Sequence, residues 1–275
     1  MPPAPTAQRP ADHAVADEAN LASPRVGPKL FGAWFWALNA VLFAAVLAMA
    51  LWYAPIEKSM GLPQKIFYAH LPVAINTFVA AFIVFIASVG YLWQRQLWWD
   101  DLADAAGKVT ALFCAIVLLT GMTWARSAWQ VWWTWSPRLT FSLVLLLLYV
   151  VYPMVRGAIE SPQRRAVVSA VYGVVAFLDV PLVYLSVKLM PDMHPSSITL
   201  EPAMKHTLLA WFAPVTLMMI GLVHTNFRLN TALRLRNAVD APARSPRTGP
   251  STGRSRSEVA SGVGGGGSGS SGGVA

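Results

Sequence analysis

The 275-residue sequence predicts an all-α integral membrane protein: six transmembrane helices with a tryptophan-rich interfacial segment on the outer side. Three observations predict this. Hydrophobic residues make up 55% of the chain and charged residues only 12%, which is membrane composition. Six stretches are long and apolar enough for the ~20 residues that a bilayer-crossing helix requires. The 21 Lys and Arg against 13 Asp and Glu are distributed asymmetrically between the loops, as topology signals are.

The spans are Leu30–Tyr53, Tyr68–Gln94, Val109–Trp124, Leu139–Val155, Ala166–Val187 and Thr207–Phe227. The first is too long, and its preceding arm too polar, for a cleaved signal peptide, so it is expected to be retained. Six spans put both termini on one side. That side then carries fifteen Lys and Arg: Arg9, Arg25 and Lys29, Arg95 and Lys108, Arg156, Arg164 and Arg165, and seven in the tail. The other side carries six: Lys58, Lys65, Arg126, Arg138, Lys188 and Lys205. Discounting the last four arginines leaves eleven against six, so both termini are expected in the cytoplasm. The basic excess is thus a topology signal, with membrane lipid and not nucleic acid as the partner. Residues 1–28 and 231–275 lack apolar periodicity and are expected to be a disordered cytoplasmic arm and a disordered basic, then Gly/Ser-rich, tail around a membrane domain at 29–230.

Several chemistries are excluded. The single cysteine, Cys114, rules out an intramolecular disulfide, a CxxC pair and a cysteine-bound cluster, and no CxxCH is present for covalent haem attachment. There is no GxxxxGK[ST] phosphate loop and no HExxH motif.

The outer loops, in contrast, concentrate unusual residues. Trp124, Trp129, Trp132, Trp133 and Trp135 place five of twelve tryptophans within twelve positions. On a helix, Trp129, Trp132 and Trp133 would share one face of an interfacial segment, a platform for a flat aromatic ligand, although indoles also anchor helices at membrane interfaces generally. His70, at the outer end of the second span, and His194, in the third outer loop, flank this segment. Two imidazoles from separate segments can supply both axial ligands of a haem iron. Arg126 and Arg138 bracket the tryptophans and suit either haem propionates or snorkelling at a span end. His206 lies on the same side; His224 and His13 carry no expected site role. Asp179, two residues before Pro181 within the fifth span, suggests either satisfaction of backbone groups freed by the proline or an inner polar or haem-entry site.

At these residues the chain resembles the haem exporter protein C family of cytochrome c biogenesis, over all six spans. The family's periplasmic motif, W-G-x-P-x-W-G-x-W-W-x-W-D-x-R-L-T, is matched without a gap at Trp124, Trp129, Trp132, Trp133, Trp135, Arg138, Leu139 and Thr140. Its Tyr-x-His-x-Pro is matched by Tyr68-Ala69-His70-Leu71-Pro72, and its last periplasmic histidine by His194. Departures are Ala125 and Gln130 for glycines, Ser127 for proline, Ser136 for the acidic residue and Asp179 where a neutral amide is usual.

The resemblance implies a non-enzymatic, multi-pass protein of the bacterial inner membrane. It implies that His70 and His194 are axial ligands of a transient, non-covalent haem b held at the tryptophan segment. It also implies delivery to a periplasmic haem chaperone, with an ABC-transporter-type maturation complex and a small membrane subunit as further partners. Two other readings remain open from the residues: a membrane b-type cytochrome that carries electrons, and an assembly subunit with a degenerate haem site, which the loss of the carboxylate at Ser136 favours.

Overall fold

A computed structural model describes residues 31–58, 60–189 and 200–240. Its contacts divide the chain into Met1–Val239, which contains the helical bundle, and Asp240–Ala275. The expected arm at 1–28 and all of the tail beyond Asp240 lie outside the described residues. Among those described, the architecture is helical, with one isolated antiparallel bridge between Glu57 and Gly61.

Helix α1 (Ala33–Ala48) continues through a π-helical turn at Met49–Tyr53. A 3₁₀ turn, Leu62–Lys65, leads into α2 (Ile66–Gln94), followed by α3 (Leu97–Trp129), α4 (Pro137–Gly157), α5 (Pro162–Phe177), α6 (Asp179–Leu189) and α7 (Pro202–Asp240). These make six segments long and apolar enough to cross a membrane, α5 and α6 together forming the fifth. Helix is the form such sequences must take, because lipid offers no partner to a backbone N–H or C=O. The ends follow local chemistry. Arg95 and Gln130 stop α2 and α3 in the left-handed region at φ 56° and 64°, each N–H closing on the carbonyl four residues earlier. Ser136-Pro137 and Ser161-Pro162 open α4 and α5, where the missing proline N–H has no intrahelical partner to lose.

The bundle is built around α3, which packs against α2, α4 and α5. Its core is rich in small residues at the α2–α3 contact, including Ala80, Ala81 and Ala87 against Ala103, Ala105 and Ala106, which let the backbones approach closely. The α2–α5 contact is equally tight: a Cβ on Gly173 would sit 2.5 Å from the Ser88 hydroxyl. Apolar side chains also cover the outside, as at Val41 (64% exposed) and Met154 (67%), consistent with lipid as the solvent of these faces.

Three expectations require correction. The third span is not Val109–Trp124: α3 begins twelve residues earlier, at Leu97, and carries Asp100, Asp101, Asp104 and Lys108 within the helix. A search for charge-free stretches ends a span at such residues, but here the charges are matched. The Arg156 guanidinium on α4 is bidentate on Asp100 at 2.6 and 2.9 Å and donates through Nε to Asp104 at 2.9 Å. Lys108 pairs with Asp104 at 2.7 Å. The sixth span likewise extends past 230 to Asp240, because Thr231 and Arg234 of α7 donate to Asp101, each at 2.9 Å. The fifth span is broken at Leu178, and Asp179 opens α6 with Pro181 in its first turn. That position suits both residues: a carboxylate faces the positive end of the helix, and the proline forfeits no intrahelical bond. The Asp179 Oδ2 nevertheless has no hydrogen-bond partner among the described residues.

Truncating Arg156 tests the network. Arg156→Ala leaves Asp100 and Asp104 buried without their shared cation, and is expected to cost about 3–5 kcal/mol. In a 200-residue bundle this corresponds to a fall of roughly 6–20 °C in the apparent Tm of detergent-solubilised protein. An unchanged Tm would show that the network does not support the fold.

Candidate functional site

His70 stands near the start of α2, and α3 presents Thr120, Gly121 and Trp124 to it from successive turns. The Thr120 hydroxyl lies 2.7 Å from the Ile116 carbonyl, one turn back, and 3.1 Å from that of Val117. The same hydroxyl contacts His70 Nδ1 at 2.8 Å, accepting from the ring N–H when its own proton points to the helix carbonyl and donating to the ring when it does not. When the hydroxyl accepts, the ring carries its proton on Nδ1 and its lone pair on Nε2. This is the arrangement in which histidine ligates metals, one ring nitrogen donating to a supporting oxygen while the other faces the metal.

The ring is also fixed sterically. Trp124, 2% exposed, meets it at 6.0 Å and 62°, and is flanked by Phe67 and Trp129, each 5.7 Å away between centroids. Gly121 leaves the necessary space, since a Cβ there would lie 3.3 Å from His70 Cε1. Around this imidazole is a pocket of about 250 Å³, walled by Ile75 and Phe78 of α2, Val117 and Leu118 of α3, Leu139 of α4 and Val183 of α6. Arg138, at the start of α4, adds one guanidinium to the otherwise mostly apolar lining.

His194 lies outside the described residues. The described residues on either side of it reach this end of the bundle. Val183 and Tyr184 of α6 share the His70 pocket, and Leu200 packs into the cluster containing Phe67 and Tyr68.

The sequence from residue 19 to 246 matches the model of the family "Heme exporter protein C". The chain belongs to that family. It is 27% identical to Heme exporter protein C of Escherichia coli strain K12 over 226 residues, covering 78% of this chain and 88% of that one. It is 32% identical to Heme exporter protein C of Bradyrhizobium diazoefficiens over 166 residues, 60% of this chain and 63% of that one. A putative cytochrome c biosynthesis ccmC-like mitochondrial protein of Marchantia polymorpha is 28% identical over 159 residues, 58% of this chain and 67% of that one. The chain is accordingly a multi-pass membrane protein of a family that handles haem for cytochrome c maturation.

For this haem exporter C family member, Trp129, Trp132 and Trp133 do not form the helical platform expected. Because Gln130 ends α3, residues 131–136 are not helical, and Trp129, Trp132 and Trp133 do not share a helix face. Trp124 and Trp129 belong to the His70 side, whereas Trp132 and Trp135 are 59% and 75% exposed. Trp133 and Trp135 meet edge to face at 5.7 Å and line a second, wholly apolar pocket of about 520 Å³ between α3 and α4.

The two arginines are also separated in role. Arg126 donates from Nη1 to the Gln130 carbonyl at 2.6 Å and lies 5.9 Å from the Trp132 ring centroid, so it closes the C-terminus of α3 and braces the turn. Only Arg138 lines the His70 pocket. His206 and His224 are elsewhere, the first 3.5 Å from the Tyr53 hydroxyl and the second against Phe31 at 4.7 Å.

Ser136, where the family pattern carries an acidic residue, is the N-cap of α4. Its hydroxyl makes no capping hydrogen bond and is buried without a hydrogen-bond partner among the described residues.

Thr120 and Gly121 were missed by sequence reasoning. Their signal was present, since Thr120 and Trp124 are spaced i, i+4 on one helix face and a glycine stands between them in an apolar span. Removing the threonine hydroxyl is expected to weaken haem retention about 10- to 100-fold, the usual effect of deleting a partner behind a metal-binding histidine. Thr120→Val and Thr120→Ser, titrated with haemin in detergent, test this. The serine variant should retain the parent affinity, and equal affinity in all three proteins would remove Thr120 from the site.

Proposed function

We propose that the protein holds haem b non-covalently and in transit, with His70 and His194 as axial ligands, and delivers it to a periplasmic haem chaperone. The observation that carries this reading is the His70 imidazole, hydrogen-bonded to Thr120, in a mostly apolar pocket that Arg138 also lines. A porphyrin needs that combination: an apolar surface for the macrocycle, a ligand nitrogen for iron and a cation for a propionate. The flanks of the segment containing His194 converge on the same end of the bundle, which supports its assignment as the opposing ligand.

Trp124 and Trp129 wall the His70 side. Trp132, Trp133 and Trp135, braced by Arg126, form an outer edge suited to the haem rim or to the receiving chaperone. No covalent chemistry is required, and the protein acts as a carrier rather than an enzyme. An ABC-transporter-type complex and a small membrane subunit are its proposed partners in the maturation system. The Lys and Arg asymmetry supports placement in the bacterial inner membrane with both termini cytoplasmic, the arm at 1–28 and the distal tail serving as cytoplasmic extensions.

The decisive measurement is the absorption spectrum and pyridine haemochrome of protein purified from haem-replete cells, beside His70→Ala and His194→Ala. The expected result is a low-spin b-type spectrum that weakens in both variants, together with haem loss to an added chaperone. Haem that resists both substitutions, or cycles with a quinol donor without leaving, would overturn the carrier site.

Sidedness has its own readout. A green fluorescent protein fused after Ala275 should fluoresce, and alkaline phosphatase at the same position should be inactive; the reverse pattern would invert the topology.

A further inference from the structure

At the end of the bundle remote from His70, a polar cavity of about 330 Å³ lies among α3, α4, α5 and α7. Its charges do not balance. Asp100 and Asp104 are both engaged by Arg156, Asp104 also by Lys108, and Asp101 by Arg234. Three carboxylates thus face three cations already paired with them. Arg165 of α5 lines the same cavity as a fourth cation, and its Nε is buried without a hydrogen-bond partner. The guanidinium is held inside a cavity where the neighbouring carboxylates are already occupied.

We infer that this cavity binds a singly charged phosphate group, with Arg165 as the cation that it neutralises. A monoanion removes the excess of one positive charge, and a planar guanidinium presents paired donors matched to phosphate oxygens. The side-chain amide of Asn237 lines the cavity as a further donor. A phosphodiester headgroup of an anionic phospholipid has this charge, and basic pockets between helix ends are where such headgroups bind. Pro153 and Leu233, the latter 47% exposed, provide an apolar edge for the glyceride portion. The group is distant from the haem pocket, so the inference does not depend on the proposed function.

The test uses the full chain in dodecyl maltoside, with thermal unfolding followed as dioleoylphosphatidylglycerol, dioleoylphosphatidylcholine or inorganic phosphate is added at constant ionic strength. The expected result is a saturable rise in Tm with phosphatidylglycerol but not phosphatidylcholine. Half-saturation should move to about tenfold or more higher lipid in Arg165→Gln. Arg165 has no side-chain bond to lose within the described residues, so this variant should fold. Arg164→Gln is the control: it removes an exposed positive charge from the adjacent position. A rise with inorganic phosphate that is lost in Arg165→Gln supports the same site and makes a free anion its ligand. The inference is overturned if neither anion shifts Tm, if Arg165→Gln responds like the parent, or if both variants lose the response equally, which would mean diffuse attraction to a basic surface.

Discussion

Helix α3 cannot leave Asp100, Asp101 and Asp104 unmatched, and much of the architecture follows from that requirement. The three carboxylates occupy about one turn, and each is nearly buried. Arg156 from α4 and Arg234 from α7 supply cations that fix where those helices end relative to α3. Removing either partner strands charge in a low-dielectric interior, which is destabilising whatever the net worth of the intact network. With one end anchored, a rigid helix rising 1.5 Å per residue carries Thr120 about 24 Å beyond Asp104, to the position where it meets His70.

The opposite end has a different economy of polar groups. There, among the described residues, a part-buried imidazole and a guanidinium line a mostly apolar pocket. Thr120 back-bonds to its own helix, Arg126 closes the end of α3, and Ser136 begins α4. On the proposed reading, a histidine hydrogen-bonded to Thr120 would offer iron a ligand, and a pocket of modest size between helices would leave much of a porphyrin accessible to an acceptor. Exposure of Trp132 and Trp135 fits a surface that meets a partner as well as a cargo.

Much was legible in the sequence because it depends on local composition. Hydrophobic runs located all six spans, since twenty apolar residues have few alternatives to crossing a bilayer. The tryptophan motif and the histidine context identified the family, because both are contiguous in the chain. Span boundaries failed where charges entered helices. Nothing near Asp100 in the sequence announces Arg156, 56 residues later, or shows that it will neutralise two carboxylates.

Residue types and their spacing therefore established membrane insertion, six helices and the haem exporter C family, since each follows from near neighbours along the chain. Folding decided which charges are matched, where α3 and α7 really end, how the tryptophans divide, and that Thr120 meets His70. Those outcomes rest on distances between helices, which hydrophobic periodicity leaves undefined. They arise when small residues such as Ala81, Ala105 and Gly173 let the helices close, bringing donors and acceptors from distant segments within hydrogen-bond reach.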